Sequence, residues 1–195
     1  VGVSNFNTPL MRAMHAALAQ HGVPLASNQV AFNLLDHSSE IKGVLEACRE
    51  LCVALIPCVP LAVGILSGRC WSGDAPMSGV QQSYLRQGKS DPFHLRAPEI
   101  PGQANEGRVK RALSAPPAMR SLGTLFATMQ SIAETRDKSL VQVALNWLLT
   151  ADSLVIPIPG AKNAGQVLEN AGALGWRLTP AEHLSLSQAG AGARC

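Results

Sequence analysis

The chain has 195 residues, of which 47% are hydrophobic and 15% charged, with a net charge of +3. That is enough for one domain with a sizeable core and too apolar for a disordered segment. A mild charge, no Lys/Arg stripe and few aromatics give no footing for nucleic-acid binding, and no apolar run reaches membrane-spanning length. The five cysteines, at 48, 52, 58, 70 and 195, are odd in number and lack zinc-ligand spacing, so free thiols in a reducing compartment and no metal are expected. Cys48 and Cys52 are placed on one helix face as core packing.

Val1 to Ser4 reads as the end of a buried strand, with Ser4-Asn5 at its exit. A helix follows, with Thr8 as cap, Pro9 in its first turn and Leu10, Met14, Ala17 and Leu18 on one face. Leu25 to Val30 is the next strand, ending in Asn28-Gln29. Ser38 or Ser39 opens a helix carrying Ile41, Val44, Leu45, Cys48 and Leu51, and Val53 to Ile56 forms a third strand running into Pro57-Cys58-Val59-Pro60. The stretch 71–117 is rich in Gly, Pro, Ser and Gln without sustained periodicity, and reads as a long irregular loop.

Two helical stripes come next. The first is Met119, Leu122, Phe126, Met129 and Ala133; the second, capped by Ser139, is Leu140, Val143, Ala144, Trp147 and Leu148. A fourth strand, Leu154 to Ile158, leads into a helix, and Thr179-Pro180-Ala181-Glu182 is a capping box for a terminal helix. Strand starts near 1, 25 and 53 give the rhythm of βα units around a parallel sheet. A closed eight-stranded barrel takes about 250 residues and eight such units. Four strands therefore predict an α/β partial TIM-type (β/α)8 barrel, one domain over 1–195, with an open face and two unpaired edges. The chain begins inside a strand, so it reads as a fragment or one segment of a longer protein.

Val155 to Asn170 combines strand, glycine turn and helix start. Asn163 with Gln166 three residues on is a capping-box pattern, and Gly160 lets backbone approach a ligand closely. The first turn of that helix favours a phosphate, and Lys162 adds a full charge beside it. An ordinary strand–turn–helix with a surface lysine has the same pattern. The strand ends carry neutral hydrogen-bonders, small residues and one cation, a set suited to holding amides and phosphates rather than to acid–base work. The five histidines (15, 21, 37, 94, 183) lie on helices or loops and are expected at the surface.

Ile158-Pro159-Gly160-Ala161-Lys162-Asn163, with Gln166 and Glu169-Asn170 behind it, resembles the cofactor-binding end of the aldo-keto reductases. Val1-Gly2-Val3-Ser4-Asn5-Phe6, Ser27-Asn28-Gln29-Val30 and Pro60-Leu61-Ala62-x-Gly64-x-Leu66-x-Gly68 resemble three further motifs of that family, in its order. The resemblance implies the carboxyl-terminal half of the barrel, beginning at about the fifth strand, and NADPH/NADP+ as cofactor. It implies that Ser4, Asn5 and Gln29 hold the nicotinamide carboxamide and that Pro60 and Leu61 run along the pyrophosphate. Gly160, Lys162, Gln166, Glu169 and Asn170 would surround the adenosine and its 2′-phosphate. Cys58 stands where many members place a ring on the nicotinamide, Val59 where a serine often binds phosphate, and Cys52 where a glycine is expected. The Pro-x-Gly-x-Arg pattern is also missing: Pro76 to Gln81 offers no arginine, leaving Arg69 or Arg86 as substitutes.

The family's catalytic aspartate, tyrosine, lysine and histidine lie on its first four strands, so no catalytic residue is assigned here, and Tyr84 matches none of them. The leading expectation is a reductase of small-molecule aldehydes or ketones, completed by the missing amino-terminal half of the barrel. A non-catalytic cofactor-binding subunit and a phosphate-binding aldolase or isomerase are the alternatives. Neither nucleic acid nor membrane is an expected partner. The compartment expected is cytoplasmic, or a plastid if a targeting segment lies upstream.

Overall fold

The computed structural model describes residues 1–37, 39–72, 76–87 and 116–193. Three parallel strands, β1 (Gly2–Ser4), β2 (Ser27–Ala31) and β3 (Ala54–Cys58), form a sheet in chain order. Helices α1 (Thr8–Ala19) and α2 (Ser39–Leu51) make the two crossovers. Parallel strands need such crossovers, which explains the expected βα rhythm.

The fourth strand is reduced to a bridge. Val155 pairs with Leu55, the Leu55 N–H donates to Leu154 O at 2.9 Å, and the Ile156 N–H donates to Leu55 O at 2.9 Å. Pro57 has no N–H with which to continue the ladder, and beyond it only the Ile158 N–H reaches across, donating to Pro57 O at 3.5 Å.

Alternation along the strands sets two faces. Asn28, Val30, Leu55 and Val155 are buried with Met11, Cys48, Leu125, Met129, Leu148 and Leu186. Ser27, Gln29 and Ile56 on the other face are half-buried, and Ile156 and Ile158 are 54% and 47% exposed. Register places Ser4, Gln29 and Ile56 on one rung, with Ala31 and Cys58, both buried, two residues further along on the same face.

The segment read as a loop contains α3 (Gly79–Gln87), and α4 (Pro116–Arg136) begins within its last residues. The stretches 73–75 and 88–115, with His94, lie outside the described residues. α3 packs on a 3-10 segment, Ala62–Ser67. Then come α5 (Leu140–Ala151), α6 (Ala164–Ala171) and α7 (Pro180–Gly192), the last packed chiefly on α4. The capping box expected at Thr179 is present, and Ser139, expected as a cap, forms a box with Gln142 as well. The cap of α1 is Asn7, whose side chain accepts from Leu10 N, and Thr8 is its first residue.

α2 stops at Leu51, and Cys52 sits past its end at φ +55°, a left-handed cap conformation usually taken by glycine. Cys48 is buried and Cys52 exposed, so the two share no packed helix face. Burial pushes the Cys48 thiol up to about 11, with Asp152 adding to the effect.

Two histidines expected at the surface pack on a tryptophan, His37 buried and His183 half-buried. Trp147 is stacked on His183 (5.3 Å, 9°) and meets the edge of His37 (5.4 Å, 67°). The Trp147 Nε1–H donates to Ser187 Oγ at 2.9 Å, tying α5 to α7. Burial lowers the pKa of His183 below the usual 6.5. Glu182 next to it accepts from Arg136 Nη2 at 2.7 Å, and that bond holds its carboxyl at about 2 instead of 4.5.

Both shifts make acid destabilising. A histidine with a depressed folded pKa favours the unfolded chain once pH drops below 6.5. A carboxylate with a depressed pKa stabilises the fold above 4.5 and loses that contribution as pH falls toward 2. Solvent reaches Glu182, whose side chain is 20% exposed, so its share is about 1–2 kcal/mol. Unfolding free energy should hold steady between pH 6.5 and about 9, decline below that window through His183 and Glu182, and decline above it through the raised Cys48 thiol. In Glu182→Gln the decline between 4.5 and 2 should flatten; an unchanged pH profile in urea denaturation would show that the pair contributes nothing.

Candidate functional site

A cavity of about 580 Å3 opens at the carboxyl ends of β3 and the Val155 bridge. One wall is the turn after β3, with Val59, Pro60, Leu61, Val63 and Gly64; the opposite wall is the Pro159 to Lys162 turn and the start of α6. Of the eleven residues expected at a cofactor, seven line it: Pro60, Leu61, Gly160, Lys162, Gln166, Glu169 and Asn170. A Cβ built on Gly160 meets no atom within 4 Å, so the space beside its backbone is cavity.

The turn before α6 is held by its own side chains. Asn163 Oδ1 caps the helix by accepting from Gln166 N at 3.0 Å. Gln166 Oε1 reaches one residue further back than a capping box requires, accepting from Lys162 N at 2.7 Å. The Asn170 amide donates to Gly160 O at 3.4 Å, and Gln142 Nε2 of α5 donates to Glu169 O at 3.1 Å. Two cations, Lys162 and Arg69, face this space against one carboxylate, Glu169. Arg69 was one of two candidates for the missing arginine; the other, Arg86, has a side chain outside the described residues.

The remaining four expected residues lie elsewhere, at the end of the sheet. Ser4 Oγ donates to Gln29 O at 3.1 Å, and the Asn5 N–H donates to the same oxygen at 2.8 Å. Asn5 has φ +59°, a region that asparagine tolerates. Cys58 is on the face that also carries Gln29, but it is buried and does not line the cavity. Asn28 is fully buried and spans the backbone of Phe6, donating to its O at 2.8 Å and accepting from its N at 3.4 Å.

Three lining or supporting groups had no sequence signal. Val59, Ala62 and Val63 hold φ of 54°, 49° and 51°, and Gly64 follows at 89°. Left-handed backbone costs a non-glycine residue on the order of 1–3 kcal/mol and persists only where neighbours enforce it. Those neighbours are Asn33, Gln81 and Ser67, whose side chains donate to Val59 O (3.0 Å), Val63 O (3.2 Å) and Gly64 O (2.7 Å). Tyr84 is buried, its hydroxyl oxygen accepts from Asn33 Nδ2 at 2.8 Å, and burial raises its pKa above the normal value. Such a phenol is a poor proton donor. Among the described residues no cluster of His, Cys, Asp and Glu fits a metal ion, and no helix is long and apolar enough to cross a membrane.

The profile of the aldo/keto reductase family matches residues 1–190. Pyridoxal reductase, chloroplastic, of Arabidopsis thaliana is 34% identical over 97% of this chain and 43% of its own length. L-glyceraldehyde 3-phosphate reductase of Escherichia coli K12 is 27% identical over 89% of this chain and 44% of its own. The chain thus spans about half the length of the curated relatives it matches. Among solved structures, the thermostable aldo-keto reductase Tm1743 is similar in fold, with a TM-score of 0.57 at 23% identity over 96% of this chain and 47% of the other. With one profile running through every strand and both walls of the cavity, the chain belongs to the aldo/keto reductase family.

Proposed function

We propose that this chain is the carboxyl-terminal, cofactor-holding half of an NADPH-dependent reductase of small aldehydes. The observation that carries the reading is the convergence of Pro60 and Leu61 with Gly160, Lys162, Gln166, Glu169 and Asn170 around one cavity edged by two cations. Open space beside Gly160 and the start of α6 suit a phosphate, which a helix amino terminus favours. Ser4, Asn5 and Gln29, grouped on neighbouring strand ends, suit a carboxamide at the other end of the same ligand. A bound NADPH supplies the hydride; the residues of this chain bind it and fix its orientation. Among the described residues Tyr84 is no source of the proton, since it is sealed in the core. An aldehyde substrate is in keeping with the names of the two curated relatives. The described cysteines are free thiols, which fits a reducing compartment.

Lys162 is exposed at the cavity rim, and the 2′-phosphate is the only difference between NADPH and NADH. A charge-assisted contact there is worth about 1.5 kcal/mol after salt screening, roughly tenfold in affinity. Titrating the chain with each nucleotide should show preference for NADPH, and Lys162→Met should remove most of it. Failure of both nucleotides to bind saturably would overturn the reading. An unchanged ratio in Lys162→Met would leave the lysine as a surface residue only.

A further inference from the structure

The wall formed by Val59 to Gly64 is left-handed at four of its six residues, and two of those four are β-branched. L-residues visit that region singly, not in runs, so the shape of this wall is imposed from outside it. Two of the three carbonyl contacts that impose it lead to α3. Gln81 donates directly to Val63 O, and Tyr84, one turn later, accepts from the Asn33 amide that also holds Val59 O. Gln81 is itself fixed, because its Oε1 accepts from Ser78 N at 2.8 Å and from the Cys70 thiol at 3.4 Å. It also lines the cavity, together with Cys70.

We propose that α3 is a buckle on this strap, and that Gln81 and Tyr84 are positioning residues that keep the phosphate-facing wall in its binding shape. Gln81 acts through Val63, and Tyr84 acts through Asn33 and Val59. The proposal rests on the cavity being the cofactor site. Without the Gln81 donor, Val63 relaxes toward the right-handed region and carries Gly64 and Leu66 with it, whose N–H groups both bond Leu61 O. If the binding shape falls to about a tenth of the population, the apparent Kd rises about tenfold.

The test compares Gln81→Ala with Gln81→Glu, the latter keeping length and the acceptor for Ser78 and Cys70 while removing the donor. In both, hydrogen exchange at Gly64 and Leu66 should quicken about tenfold with the urea midpoint little changed, and the Kd for NADPH should rise by a similar factor. Adding Val63→Gly, which makes the left-handed conformation accessible without strain, should recover binding in the Gln81→Ala background. Exchange at Gly64 and Leu66 equal to wild type in both Gln81 variants would overturn the buckle, whatever happens to binding. If exchange quickens as expected but the wild-type chain does not bind NADPH, the cofactor reading fails and the buckle stands.

Discussion

Asn146→Leu is expected to cost about 3–4 kcal/mol of stability, roughly a 10 °C fall in Tm. Asn146 is fully buried on α5, and both ends of its amide are used. Nδ2 donates to Ala173 O and Trp176 O, each at 2.9 Å; Oδ1 accepts from Leu178 N at 2.9 Å and Thr150 Oγ1 at 3.1 Å. This one side chain therefore serves three backbone groups of the 173–178 connection between α6 and α7. Leucine repeats the branching of the side chain without its polar atoms and leaves all three without partners in an apolar setting, where each costs about 1–3 kcal/mol before relaxation. Urea denaturation measures the loss. A change below about 1 kcal/mol would mean that the connection finds water instead, and that Asn146 is a minor contributor.

Gly190→Ala should be nearly as damaging, at about 2–3 kcal/mol. Gly190 is buried on α7 where the helix crosses the segment after β2, and an added Cβ would overlap the Leu34 carbonyl oxygen and sit 3.1 Å from His37 Cε1. Alanine is normally the better helix residue, by about 1 kcal/mol over glycine. The sign of the measurement therefore discriminates. A stabilised variant would show that α7 can slide outward without loss. The expected result is a lower Tm together with weakened stacking of Trp147, read from its fluorescence, because His37 and His183 reach that ring from the two sides of the crossing.

Helices with clear apolar periodicity were legible, as were the strands that lead into them. α3 was not, because its inward residues Tyr84 and Leu85 make no repeating stripe and its place is fixed by docking on Ala62–Ser67. The fourth strand looked sound in hydropathy and is cut short in hydrogen bonding, for the facing Pro57 of β3 cannot donate to it. His37 and His183 were misplaced because a half-apolar ring on a helix reads as polar until the tryptophan between them is seen. Asn146 did leave a trace, as the lone amide in the run of apolar residues from Leu140 to Leu149, apart from Gln142 at the cap. At the site, the glycine turn and its lysine were readable from residue type and resemblance. Gln81 and Ser67 were not, since their partners are carbonyls of a left-handed run spelled with valine and alanine, residues that give no warning of positive φ.

The register of the sheet has a consequence for how such a gene can change. Ser27, Gln29 and Ala31 share one side of β2, with Asn28 and Val30 on the other. Loss of a single codon between Ala26 and Gln29 would turn the remaining strand over, burying Gln29 under the helices and turning Val30 to the open side. It would also misplace Asn28, which holds the Phe6 backbone, and the Gln29 carbonyl, which holds Ser4 and Asn5. A point substitution at Ser27 or Ala31 leaves this alternation in place, whereas length changes there remove one end of the site at once, and insertions should be confined to the connections far from the strand ends.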